Sequence, residues 1–315
     1  MPCRKKSKAN GDEMTVKAAI AAAIMLMPAV AMAQAPLPPI DMKGIPSDMP
    51  VANHLPQMIK VVLVGDSTTQ VASGWGGAFC AFHVTSVIAC IDLAKGGRSS
   101  GSYRAERWWD IALDEMKSGG FSATYVLIQF GHNDKPGRPG RSVDLATDFP
   151  NNFRKYVADA RAVGAIPVLV TPLTQRRFVN GQLDHDLEPY SEQIRKVAAE
   201  TGALLIDLNA DSGAAVQAMG PEAATRMAVI PPPPELLAAA RTGTTFQPPI
   251  GLRAPHWAAL DLTDEQVAKI PEPLGDPQNV FDYTHLGREG ADYFARIVTR
   301  ELAQKAPGLR RGLLP

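Results

Sequence analysis

The residues able to do chemistry in this sequence stand in four short polar groups. Ser67 closes the run K-V-V-L-V-G-D-S at 60–67, and Gly96-Gly97-Arg98-Ser99 and Gly131-His132-Asn133-Asp134 each follow a further apolar run. Asp282-Tyr283-Thr284-His285 precedes the last helical segment. A serine hydroxyl is a weak nucleophile at neutral pH. It needs a base to take its proton and donors to hold the oxyanion that its attack creates. His285 is the candidate base. Asp282, three residues earlier, is close enough in a tight turn to hold the other imidazole nitrogen, which is the Ser-His-Asp division of labour. The backbone N–H groups of Ser67 and Gly97 and the side-chain amide of Asn133 are candidate oxyanion donors, and glycine at 97 lets a backbone approach closely.

These groups need a frame that brings them together. Val61–Val64, Ser86–Leu93, Tyr125–Phe130, Ile166–Val170 and Ala203–Leu208 read as buried strands. Helix-length segments separate them, at Trp75–His83, Tyr103–Lys117, Leu145–Val163 and Pro189–Glu200, and a last helix runs from near Arg288 to about Gln304. Short apolar runs alternating with helices imply a parallel sheet covered on both faces, a three-layer α/β/α fold. Ligands of such sheets bind beyond the C-terminal ends of the strands, where Ser67, Gly97 and Asn133 all fall. Asn180-Gly181 signals a hairpin. The region 231–273, opened by four consecutive prolines, reads as a long irregular insertion before the last helix.

In that order and at those strand ends, the four groups resemble the four blocks of the SGNH (GDSL-type) hydrolases. G-G-R-S, G-H-N-D and T-P-L-T-Q-R-R-F at 171–178 look most like the rhamnogalacturonan acetylesterase branch of that family. The resemblance implies a flavodoxin-like five-stranded parallel sheet and no metal or organic cofactor. It implies Ser67 as nucleophile, His285 as base, Asp282 as its partner, and Ser67, Gly97 and Asn133 as oxyanion donors. It also implies an exported esterase that removes acetyl groups from plant cell-wall polysaccharide or oligosaccharide. Pectic rhamnogalacturonan is the first substrate it suggests, with homogalacturonan and xylan as further ones. A lipase, lysophospholipase or thioesterase acting on longer acyl esters is the alternative. The insertion at 231–273 is longer than the family pattern leads one to expect.

Other residues invite a role. Arg176 and Arg177, beside the hairpin, are candidates for contact with sugar carboxylates, Trp75 for a sugar-binding surface, and His256 for a cover over the site. Gly97-Arg98-Ser99-Ser100-Gly101 matches the G-x-S-x-G nucleophile elbow. That reading would make Ser99 the nucleophile but leaves Gly65-Asp66-Ser67 and Gly131-His132-Asn133-Asp134 without a task.

Composition sets the outer limits. The 315 residues, with 45% hydrophobic and 20% charged, are those of a globular chain. Basic residues at 4, 5, 6, 8 and 17, an apolar run from Ala18 to Val30, and Ala31-Met32-Ala33 make up a signal-peptide pattern cut near Ala33. The expected organisation is a leader at 1–33, an extended arm at 34–57, one hydrolase domain at 58–306 containing the insertion, and a tail at 307–315. Loss of the leader leaves 27 basic and 30 acidic side chains, from 32 of each. No basic excess points to nucleic acid, and no later stretch is apolar enough to predict a membrane span. Export would permit a disulfide between Cys80 and Cys90, and two small buried thiols are the other reading. No Cys or His spacing suggests a metal.

Overall fold

A computed structural model describes residues 58–246 and 281–315. Along the chain, β1 (Ile59–Gly65), α1 (Gly76–Phe82) and β2 (Ile88–Asp92) are followed by α2 (Ser102–Ala105), α3 (Trp108–Lys117) and β3 (Ala123–Gln129). Then come α4 (Asp148–Ala162), β4 (Ile166–Val170), a hairpin of β5 (Phe178–Val179) and β6 (Gln182–Leu183), α5 (Glu188–Thr201) and β7 (Leu204–Ile206). Helices α6 (Leu208–Met219), α7 (Pro221–Arg226), α8 (Pro234–Arg241) and α9 (Arg288–Lys305) complete the described chain, with a 3₁₀ turn at Pro307–Gly312.

Five strands form one parallel sheet in the order β2-β1-β3-β4-β7. All five coincide with the apolar runs of the sequence. The chain steps from β1 outward to β2, then returns to the other side of β1 for β3. That reversal opens a crevice between the C-terminal ends of β1 and β3. Ser67 follows one of these strands and Asn133 the other.

The strand side chains alternate between two cores. Val61 and Leu63 pack with residues of α1, α6 and α9, such as Phe79, Val216 and Phe294. Val62 and Val64 pack with α3, α4 and α5 through Trp109, Phe153 and Ile194. Val61 to Val64 are fully buried, and each such side chain contributes about 1.5–3 kcal/mol. This layer of apolar contact on both faces is what holds the end of β1, and the turn after it, in place.

Four elements differ from the sequence expectation. The helix expected over 103–117 is two helices, broken where Arg107 takes the left-handed conformation (φ 67°). Helices α6 and α7 were not foreseen, because the alanines of L-N-A-D-S-G-A-A-V-Q-A-M spread round the helix without a marked apolar stripe. The proline run does not bar regular structure throughout. Pro234 starts α8, where its missing N–H and fixed φ suit the first helical turn. The leader, the arm and the rest of the expected insertion, with His256, lie outside the described residues.

The hairpin forms as expected, with Asn180 (φ 51°) and Gly181 (φ 78°) both left-handed, the requirement of a type I′ turn. Cys80 of α1 and Cys90 of β2 are joined in a disulfide. Its loop is short, so closing it stabilises the fold by about 2–3 kcal/mol in the chain-entropy picture. Reduction is expected to lower the melting temperature by roughly 5–10 °C, measurable by calorimetry with and without reductant. An unchanged transition would show that the bridge adds nothing to stability.

Candidate active site

Ser67 sits on a tight turn locked from below. The Asp66 carbonyl accepts the N–H groups of Thr69 and Gln70, both at 3.1 Å. Asp66 Oδ1 accepts Thr68 N–H at 2.9 Å and Thr68 Oγ1–H at 2.7 Å. Gln129, the polar residue inside the buried β3, donates to Thr68 Oγ1 at 2.6 Å and accepts from Trp75 Nε1–H at 2.9 Å. A side chain at position 65 would meet Thr69 Oγ1 at 2.5 Å and the Gln129 carbonyl at 2.8 Å, so the turn closes only over glycine. Burial pushes the Asp66 carboxyl up, but adjacent His132 and the Thr68 donors outweigh it and hold it below the usual carboxylate value.

His285 comes to this turn from 218 residues away, and its Nε2 lies 2.8 Å from Ser67 Oγ. Its Nδ1 lies 2.6 Å from Asp282 Oδ2. An ionised carboxylate only accepts, so Nδ1 carries the proton and Nε2 is left as acceptor for the Ser67 hydroxyl. Asp282 Oδ1 accepts the N–H groups of Thr284 and His285, both at 2.7 Å. Burial pushes the Asp282 carboxyl up. The hydrogen bond and charge of His285 and the two backbone donors reverse this and bring it down to about 2. The site therefore holds an anionic aspartate at any pH near neutrality.

Two further loops meet the turn. Gly97 adopts φ 75°, and the nearest Arg141 guanidinium nitrogen lies 3.2 Å from where its Cβ would be, closer than ordinary van der Waals contact. Asn133 donates one N–H to the Arg98 carbonyl at 3.1 Å, and its Oδ1 faces Arg138 Nη1 at 3.4 Å. The amide has a second N–H. Asp134 ties the two loops, accepting Ser100 N–H at 2.9 Å and Ser100 Oγ–H at 2.6 Å. Burial, with the charge of Asp66 adding to it, pushes the Asp134 carboxyl up to about 7 against those donors.

Ser67, His285, Asp282, Gly97 and Asn133 thus converge on the sheet edge, and several other candidates do not. Trp75 is fully buried under the turn, so it offers no sugar-binding surface. Arg176 is fully buried as well and touches backbone carbonyls, not solvent. Its expected contact with a substrate carboxylate is corrected on that ground. Arg177 is taken up by Asp184 at 2.8 Å and Asp186 at 2.7 Å. Ser99 is buried and exchanges hydrogen bonds with Ser102 at the start of α2, so the nucleophile-elbow pattern around it is a helix start.

Sequence reasoning passed over Gln129 and Ser73. Gln129 left a trace, as the one strongly polar side chain in Y-V-L-I-Q-F. Ser73 left none. It is a non-glycine residue at φ 75° whose hydroxyl donates to the Ser67 carbonyl at 3.2 Å, while its own carbonyl accepts Leu286 N–H at 2.8 Å. It links the serine turn to the histidine turn.

The profile of the GDSL-like lipase/acylhydrolase family matches residues 63–228, just over half of the chain. That span holds Ser67, Gly97 and Asn133. The chain is similar to the probable rhamnogalacturonan acetylesterase YesY of Bacillus subtilis (strain 168), with 33% identity over 165 residues, 50% of this chain and 71% of that protein. It is also similar to the rhamnogalacturonan acetylesterase RhgT of the same organism, with 34% identity over 179 residues, 54% and 74% of the two chains. Among solved structures, the Bacillus subtilis protein YxiM shares the fold with a TM-score of 0.53 at 22% identity, covering 78% of this chain and 56% of that one. The chain belongs to the GDSL-like lipase/acylhydrolase family, the SGNH hydrolases, within its rhamnogalacturonan acetylesterase-like branch of carboxylic ester hydrolases.

Proposed function

We propose that this protein is an exported serine esterase that removes acetyl groups from plant cell-wall polysaccharide, pectic rhamnogalacturonan first, through an acetyl-serine intermediate. The observation that carries the reading is the unbroken chain Ser67 Oγ···Nε2 His285 Nδ1···Oδ2 Asp282 at the sheet edge. Ser67 Oγ attacks the acetyl carbonyl as His285 Nε2 takes its proton. Negative charge builds on the carbonyl oxygen, met by the N–H groups of Ser67 and Gly97 and the second N–H of Asn133. The sugar hydroxyl then leaves with the proton from His285. Water, activated by the same imidazole, cleaves the acetyl-serine to acetate and restores the enzyme.

The substrate class rests on two supports. The relatives of the branch are named rhamnogalacturonan acetylesterases. In addition, the guanidinium groups of Arg138 and Arg141 lie against Asn133 and Gly97, a setting better suited to a polar or acidic substrate than to a long acyl chain. Export rests on the leader pattern at 1–33.

The test is acetate release from acetylated rhamnogalacturonan by the mature protein, with Ser67→Ala alongside. Release that disappears in the variant supports the proposal. A folded wild type that hydrolyses p-nitrophenyl acetate but releases nothing from the polymer would remove the pectic assignment and leave an esterase. Asn133→Ala is expected to lower kcat by about 10²–10³-fold with KM little changed, since the oxyanion forms only during reaction. Loss confined to KM would take Asn133 out of the oxyanion hole.

A further inference from the structure

Arg176 is a cation with no exposure to solvent, and nothing in the proposed reaction uses it. Its surroundings are unusual for a buried charge, which normally pairs with a carboxylate. No ion pair to it occurs among the described residues, and its Nε has no hydrogen-bond partner there. Burial pushes the guanidinium down to about 10, with the charge of Asp282 opposing this, so it stays cationic near neutral pH. Instead of a carboxylate, it faces the backbone of one short turn. Nη1 donates to the Thr284 carbonyl at 3.1 Å, and Nη2 donates to His285 at 2.9 Å and, more weakly, to Asp282 at 3.5 Å. The remaining carbonyl, of Tyr283, accepts the backbone N–H of Arg176 at 3.0 Å. Every carbonyl from Asp282 to His285 accepts from this single residue.

That turn is neither helix nor strand, so no ladder of its own holds it. Its other ties lie on its remaining groups. Asp282 Oδ1 caps the Thr284 and His285 N–H groups from within the turn. Tyr283 packs with Phe281 and Leu236 and donates its hydroxyl to the Phe246 carbonyl at 3.0 Å. Gln175 donates to Thr284 Oγ1 at 2.6 Å, Val229 N–H reaches the His285 carbonyl at 3.2 Å, and Leu286 N–H reaches Ser73. Arg176 itself follows β4, which is registered to β3 and through it to β1. One route from the sheet to the imidazole thus runs β4, Arg176, turn, His285, beside the link that Ser73 makes from the serine turn. A planar fork with five donors spans several carbonyls at once, which a lysine ammonium at the end of a flexible stem does not.

We propose that Arg176 is a positioning residue that holds the Asp282–His285 turn, and with it His285 Nε2, in register with Ser67 Oγ. It does so by clamping the turn's carbonyls, without touching substrate. The proposal rests on the reading of Asp282 and His285 as the catalytic pair. Misplacing a reacting group by about 1 Å costs on the order of 10²-fold in rate, and that is the size of effect the clamp controls.

The experiment measures kcat and KM for p-nitrophenyl acetate in wild type, R176A, R176K and S67A, with melting curves for each. R176A is expected to fold, to lose about 10²-fold in kcat, and to keep KM within about threefold, because no substrate contact is removed. R176K is expected to fall between the two. Sub-denaturing guanidinium chloride is expected to restore part of the kcat of R176A, by filling the vacated position, and to do nothing for wild type. A purely structural role would not give that rescue. Folded R176A with wild-type kcat overturns the proposal. So does a rise in KM at unchanged kcat, which would make Arg176 a substrate contact. If R176A does not fold, R176K decides. Lowered kcat at constant KM supports the clamp, and wild-type kcat overturns it. S67A separates the two readings. Activity retained in S67A defeats the catalytic assignment itself, whereas inactive S67A beside fully active R176A defeats only the clamp.

Discussion

Ser67→Ala is expected to lower kcat on acetyl esters by roughly 10⁶-fold, to the level that oxyanion donors and binding alone sustain. Without Oγ there is no acyl-enzyme, and His285 is left to activate water in a geometry built for a serine proton. Stability should move little, within about 0.5 kcal/mol. The Ser67 hydroxyl bonds to His285 at the surface of the crevice, whereas the turn is held by Asp66, Thr68 and Gln129 beneath it. Steady-state kinetics on p-nitrophenyl acetate, read with a melting curve, separate the two effects. More than about one per cent of wild-type kcat in a clean S67A preparation would be far too much for a nucleophile and would sink the assignment.

Asp282→Asn should lower kcat by about 10⁴-fold with the backbone unchanged. If the new Oδ1 keeps the Thr284 and His285 amides, the NH₂ group must face His285 Nδ1. An amide donor there forces the proton onto Nε2, and the imidazole then has no lone pair for the Ser67 hydroxyl. The same variant has a stability signature. The folded Asp282 carboxyl sits at about 2, below its ordinary 3.8. Its ionisation therefore contributes stability that is full above about pH 4 and is lost as pH falls through about 2. The size is about 2 kcal/mol. Wild type should lose that increment on acidification and D282N should not, as urea midpoints at pH 5 and pH 2 would record. Parallel losses in the two proteins would mean that Asp282 is not the anion the geometry describes.

The architecture was legible because it depends on local pattern. Short runs such as V-V-L-V and Y-V-L-I-Q-F, separated by helix-length segments, fit a sheet covered on both faces, and all five strands coincide with such runs. The polar groups after them had to fall at one edge, since parallel strands all end on the same side. Helix α6 was missed for the converse reason. Its alanines favour a helix but mark no apolar face by which periodicity would reveal it.

Partnership was harder to read. Arg176 and Arg177 are adjacent and of one type, yet one is sealed under the histidine turn and the other pairs with Asp184 and Asp186. Trp75 stands eight residues after Ser67, and position alone suited it equally to a sugar surface or to the hydrogen bond it makes with Gln129 beneath the turn. Residue types and their order pointed to a serine, a histidine and an aspartate in the Ser-His-Asp division of labour, because the ends of parallel strands share an edge. Which side chains face solvent, which lock a turn, and that one buried arginine grips the loop of His285 were settled by long-range packing. A contact between Arg176 and a carbonyl 109 residues away leaves no trace in local spacing.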